Sequence, residues 1–167
     1  MIWLMAALCG RIKMIKILAL DLATKMGWAT NHPNVSGVQD FSLKRGDSPG
    51  MRILRLAGWL VKANKNIQGI DMIIMEQAHQ RGGNATAVAY HLQGKVLEFC
   101  AENGIEHTAL HSATLKKYAT GSGRASKEDM INEAKKRGFE PQDDNEADAI
   151  LLLEYALSTY CGGSENE

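Results

Sequence analysis

The 167-residue chain has little cysteine, little proline and no net charge: three Cys, three Pro, and 19 basic against 19 acidic residues. Cys9, Cys100 and Cys161 are scattered, with no CxxC pair and no even-numbered framework. That argues against a disulfide scaffold and for reduced thiols in a cytosolic protein. Neutrality removes the global basic field that announces many nucleic-acid binders, so any such partner must be held by a local patch. No stretch approaches the roughly 18 apolar residues of a membrane helix, so no membrane partner is expected. What remains is ordinary: 45% apolar and 23% charged residues, in a length that suits one domain burying about two-thirds of its unfolded surface.

The opening "MIWLMAALCGRIK" is apolar, but its basic residues follow the apolar run instead of preceding it. A signal peptide has the reverse order. Residues 1–13 are therefore read as an N-terminal extension outside the fold, 14–160 as one domain, and 161–167 as a frayed tail.

"IKILALD" predicts a strand buried on both faces and ending in an acid. "GWATN" and "NVSGVQDFSL" follow closely enough to complete an antiparallel meander, with "LATKMG" as the first turn. "SPGMRILRLAGWLVKANKN" is an amphipathic helix with Pro49 near its first turn and a stripe of Ile53, Leu54, Leu56, Ala57, Leu60 and Val61. "GIDMIIMEQ" is a second buried strand ending in an acid. A helix from about Asn84 closes at Gly104, and "IEHTAL" is a short strand. "HSATLKKYAT" is a short helix capped by Ser112. "SKEDMINEAKKRGF" is a helix with a Ser126-x-x-Asp129 cap. The last helix runs from about Asp144 to Tyr160. The order β-β-β-α-β-α-β-α-α-α predicts one mixed α/β sheet with helices on its faces.

Three acids do not fit a purely structural account. Asp21 and Glu76 each end an apolar strand, where ligands of open α/β sheets collect. Asp148 lies a full turn into the last helix, on one face with Asp144 and Asn145. Carboxylates converging without a cation repel and raise one another's pKa. Hard oxygen ligands with no His/Cys set point to Mg²⁺ or Mn²⁺. Two such ions about 4 Å apart would suit phosphodiester hydrolysis. Asp143, next to the cluster, reads as a helix cap.

The stretches "ILALDLATKMGWA", "IIMEQAHQRGGNA", "LKKYATGSGRASKEDM" and "DNEADAILLLEYAL" resemble, in order and spacing, the motifs of the RuvC-type Holliday junction resolvases, over roughly Ile15 to Leu157. They look closest to the phage-borne branch. The resemblance implies an RNase H-like fold with a mixed five-stranded sheet, antiparallel meander then parallel strands, and helices on both faces. It implies catalytic, metal-binding acids at Asp21, Glu76 and Asp148. The family's fourth acid falls on Asn145, with Asp144 beside it, and these two are the candidates to complete the site. An aromatic that stacks on an unpaired base is expected three residues after the Glu, where this chain has His79. Lys116, Lys117, Arg124 and Lys127, with the loop Gly121, Ser122 and Gly123, match the DNA-contacting stretch. Arg81 and Asn84 are further DNA candidates, with an N-cap as the other role for Asn84. The counterpart of the helix "NATAVAYHLQGKVLEF" joins two subunits, which implies a homodimer on a four-way DNA junction, in the cytoplasm (of a bacterial host, if phage-encoded).

The expected activity is junction resolution by symmetrical, metal-dependent nicking. Cleavage of another branched or RNA-containing substrate, and junction binding without cleavage, stand as alternatives. "DLATKMG" also loosely resembles the phosphate loop of actin-like kinases, but those need two related domains and this chain has room for one.

Overall fold

The computed structural model describes residues 14–78 and 83–161. The extension 1–13, His79, Arg81 and the tail from residue 162 lie outside the described residues.

Five strands form one sheet in the order β3-β2-β1-β4-β5. β1 (Ile17–Asp21), β2 (Lys25–Asn31) and β3 (Asn34–Asp40) are the antiparallel meander. β4 (Met72–Glu76) and β5 (Glu106–Leu110) add in parallel beside β1. The helices are α1 (Gly50–Ile67), α2 (Asn84–Asn103), α3 (Ser112–Thr120), α4 (Lys127–Lys136) and α5 (Asp144–Ala156). The element order and the mixed sheet are those expected from the sequence.

Strand alternation splits the core in two. Leu18, Leu20, Ile73 and Met75 face Leu56 and Leu60 of α1 and Leu92 and Val96 of α2. Ile17, Ala19, Met72 and Ile74 face α3, α4 and α5, with Leu115, Met130, Ile150 and Leu151 as anchors. Helices therefore cover both faces.

Several local expectations change. β2 begins at Lys25, so Lys25 and Met26 belong to a strand rather than to the turn. The buried line of α1 is Leu56, Leu60, Ala63 and Ile67, whereas Leu54 is 64% and Val61 61% exposed. The stripe drawn from sequence was too wide, and only the side meeting the sheet and α2 is buried. His111, not Ser112, holds the N-cap position of α3, and no side chain caps it. The final helix is α-helical only to Ala156. A wider π-helical turn, Leu157–Cys161, carries the chain on, so Cys161 belongs to it and not to the tail. The Ser126–Asp129 capping box is present in both directions. Gly104 ends α2 in the left-handed conformation, where its missing Cβ avoids strain.

Candidate active site

Asp21 and Glu76 are brought together by register. β1 and β4 pair in parallel with Leu20 opposite Met75, so the next residues, Asp21 and Glu76, stand side by side at the carboxyl ends. By alternation both continue the rows that face α5: Ile17, Ala19, Asp21 and Met72, Ile74, Glu76.

α5 brings the remaining acids to the same place. Its apolar continuation, Ala149 to Leu153, is buried and clamps the helix on the sheet. Its first turn rests on β2, where a Cβ on Gly27 would lie 1.8 Å from the carbonyl oxygen of Asn145. Gly27 is the cross-strand partner of Asp21. No other residue permits so close an approach of helix backbone to strand.

The electrostatics show the convergence. Burial pushes the carboxyl of Asp21 well above its usual range, and the charges of Glu76, Asp148 and Asp144 push it further, while Lys127 opposes. Asp148 is pushed up to about 7 by burial, then by Glu76 and Asp144, against Lys116 and Lys127. Its Oδ1 is buried with no hydrogen-bond partner. Burial is the larger cause in both, and the repulsion expected for carboxylates gathered without a cation adds to it.

Asp143 and Asp144 separate as the sequence suggested. Asp143 is the N-cap of α5, its Oδ1 accepting from the backbone N–H of Glu146 at 2.9 Å. Asp144 does not cap. It forms an ion pair with Lys127, which raises the pKa of that lysine. Among the described residues, no three His, Cys, Asp or Glu side chains close into a ready metal cluster. Even so, the donor set fits a hard divalent cation. Asp21 and Asp148 hold their protons more tightly than ordinary carboxyls, and the orphaned oxygen of Asp148 lacks a partner that such an ion would supply.

A cleft of about 280 Å³ opens beside Asp21 and Glu76. Thr24, Gln77 and Thr86 line it, together with small residues such as Ala23, Ala85 and Ala89. Thr24 and Gln77 fall inside the four motif stretches quoted above but were given no role there, and Thr86 lies outside them.

The expected cations divide. Lys116 and Lys127 act on the acids, and Lys117 is exposed. Arg124 instead lines a larger cleft of about 790 Å³ with Ser122, Lys135 and Lys136. The last two were not anticipated. Gly121 ends α3 with a φ of +81°, and Gly123 packs on the Ala113 carbonyl, so both glycines have local duties. Asn84 is not a cap: Gly83 holds that position, and Asn84 lines a separate groove beside Pro49 and His91.

No protein-family model matches the chain, and no curated protein matches it in sequence. Solved structures do match in shape. Thermus thermophilus RuvC aligns with a TM-score of 0.68 at 17% identity, covering 89% of this chain and 97% of that one. The same RuvC in complex with a Holliday junction substrate gives 0.69 at 16% identity, with the same coverage. The yeast mitochondrial Holliday junction resolvase Ydc2 gives 0.52 at 14% identity, covering 83% of this chain and 77% of that one. The two RuvC alignments span nearly the whole of both chains, so this chain has the RuvC-type RNase H-like fold.

Proposed function

We propose that the protein is a divalent-metal-dependent endonuclease that resolves four-way DNA junctions. The observation that carries this reading is the convergence of Asp21, Glu76 and Asp148 at the strand ends, with Lys116 and Lys127 acting on the same carboxylates. The shared fold supports the substrate class, since Thermus RuvC has been solved on a Holliday junction.

Asp21, Glu76 and Asp148 would hold Mg²⁺ or Mn²⁺, with Asp144 or the side-chain oxygen of Asn145 as a further ligand. Bound there, one or two such ions supply a more acidic water and neutralise charge on the leaving oxygen. To hold such a cation Asp21 and Asp148 would have to be ionised, so each would give up its proton to solvent. Lys127 exchanges Asp144 for a substrate phosphate, which frees Asp144 to turn toward the other acids. Lys116 faces the phosphate from α3. The water oxygen joins phosphorus and the 3′ oxygen leaves with a proton, giving 5′-phosphate and 3′-hydroxyl ends.

Gly121, Ser122, Gly123, Arg124 and Lys117 extend the contact along the backbone, which positions DNA without reading sequence. His79 is the candidate for stacking on an unpaired base, and Arg81 is a further DNA candidate. α2 keeps Tyr90 and Gly94 exposed while Leu92, Val96 and Phe99 bury on its own sheet. Its outer side is the proposed homodimer seam, placing two sites across the junction. No helix among the described residues is long and apolar enough to cross a membrane.

The test is cleavage of a synthetic mobile four-way junction in Mg²⁺, beside a fork, an RNA–DNA hybrid and a matched duplex. The junction should be nicked symmetrically. Asp21→Asn should lower cleavage by at least about 10³-fold while junction binding persists. Preferred cutting of the hybrid, or an Asp21→Asn variant as active as wild type, would overturn the reading. Asn145 in place of a fourth acid, and Asp144 held by Lys127, favour a second reading, a junction binder without cleavage. Tight junction binding with no product in Mg²⁺ or Mn²⁺ would establish it.

A further inference from the structure

Glu146 belongs to the acidic run of α5 but has no part in the site just described. It is 4% exposed, less than any other charged residue among those described. Both its oxygens are engaged. Oε1 accepts from Ser36 Oγ at 2.7 Å, and Oε2 accepts from the backbone N–H of Gln142 at 2.9 Å. Ser36 lies on β3, 110 positions away in sequence. Burying a carboxylate is costly unless its oxygens are satisfied. Capping does not require that cost here, because Asp143 already caps the helix.

The first turn of α5 is thus gripped twice. On β2 the Asn145 carbonyl seats on Gly27, and on β3 Glu146 is tied to Ser36. Asp144 and Asp148 flank Glu146 by two residues each. Two residues turn an α-helix by about 200°, so those acids face away from Ser36. A roll of the helix by about 10° would move a side-chain tip by about 1 Å, given a helix radius near 5–6 Å. A displacement of that size is enough to spoil a reacting geometry.

We infer that Glu146 is a positioning residue: through Ser36 it sets the roll of α5 that turns Asp148 and Asp144 toward Asp21 and Glu76. This rests on the metal-dependent reading of those acids. Its role is to hold the ligands, not to touch the ion.

The substitution Glu146→Gln separates holding from charge. The new amide oxygen can still accept from Gln142 N–H, and the amide nitrogen can donate to Ser36 once that hydroxyl rotates. Glu146→Ala loses both bonds. The readouts are Mn²⁺ affinity of the whole protein by calorimetry, junction binding in EDTA, and junction cleavage, all below the lowest melting temperature. Glu146→Ala should lose about 10-fold to 100-fold in Mn²⁺ affinity, the range for outer partners of metal ligands. Its junction binding in EDTA should stay within about twofold of wild type, and Glu146→Gln should keep Mn²⁺ affinity within about threefold, a small part of that range. Ser36→Ala should shift Mn²⁺ affinity in the same direction as Glu146→Ala, and it decides the matter if Glu146→Ala does not fold.

A Gln variant as damaged as the Ala variant would show that the charge itself acts, and would overturn the inference. Unchanged Mn²⁺ affinity in Ser36→Ala would do the same. A wild type that binds Mn²⁺ yet cuts no junction would sink the nuclease reading alone, since the Mn²⁺ comparison still decides this one. A wild type that binds no Mn²⁺ would overturn both.

Discussion

On one side of the sheet, the rows Leu18–Leu20 and Ile73–Met75 meet Leu56, Leu60, Leu92, Phe99 and Phe41. On the other, Ile17–Ala19 and Met72–Ile74 meet a surface rich in alanine: Ala29, Ala119, Ala134, Ala147, Ala149 and Ala156. The first side is filled with large side chains. The second mixes large side chains such as Leu115, Met130 and Leu151 with many alanines, and both its rows end in a carboxylate. Large side chains hold a helix away from a sheet and supply buried area. Small ones let α5 settle close, until its backbone touches Gly27 and its acids reach the strand ends. One face secures the fold, and the other is shaped for chemistry.

Substitutions on the two faces should therefore fail differently. Leu60→Ala, in the large-residue core, should cost about 2–5 kcal/mol of stability. Its cleavage rate per folded molecule should not change. Chemical denaturation together with activity scaled to the folded fraction checks this, and a disproportionate loss of activity would dissolve the contrast.

Gly27→Ala should do the opposite. The added methyl would press on the Asn145 backbone, which no rotamer can relieve. A stability loss of about 1–3 kcal/mol is expected for overpacking of this kind. Cleavage per folded molecule should fall further than stability explains, by about tenfold or more, because α5 is displaced at the site. Activity that simply tracks the folded fraction would show that the close contact serves packing alone.

The smallest effect concerns pH. Asp148 titrates near 7 in the fold, against 3.8 for its ordinary value. Between those values the native state holds a proton that the unfolded chain releases. Metal-free stability from this group is therefore present below about pH 4 and is lost as pH rises through about 7. Asp148→Asn should flatten that decline, and Mn²⁺ should restore wild-type stability at pH 8. Melting temperatures in EDTA from pH 4 to 8 measure it. A wild-type profile as flat as that of Asp148→Asn would contradict the charge crowding.

The element order was legible because short continuous apolar runs and helical stripes of period 3.6 leave separate marks, as in "IKILALD" and "KEDMINEA". Asp21, Glu76 and Asp148 were legible because acids at the edge of apolar runs conflict with burial. Contacts between distant segments left no such mark. Nothing local in "KMGWATN" announces that Gly27 receives a helix, or that Ser36 meets Glu146. The exposed Leu54 and Val61 show the same gap: an apolar stripe is visible in sequence, but its width is set by neighbours. Lys127 was found as a cation, while its pairing with Asp144 depends on how α4 and α5 pack.

The parallel pairing of β1 with β4 has one more consequence. Asp21 and Glu76 stand on adjacent strands with no loop between their side chains and the ladder. Their spacing is thus tied to the interstrand distance of about 4.8 Å, a ruler made of backbone hydrogen bonds. It cannot be stretched by degrees. Slipping β4 by one residue would turn Glu76 to the opposite face, and slipping it by two would carry it about 6.6 Å along the strand. Insertions in the connection after α1 can therefore be absorbed at the loop, while the gap between the two carboxylates changes only in whole steps.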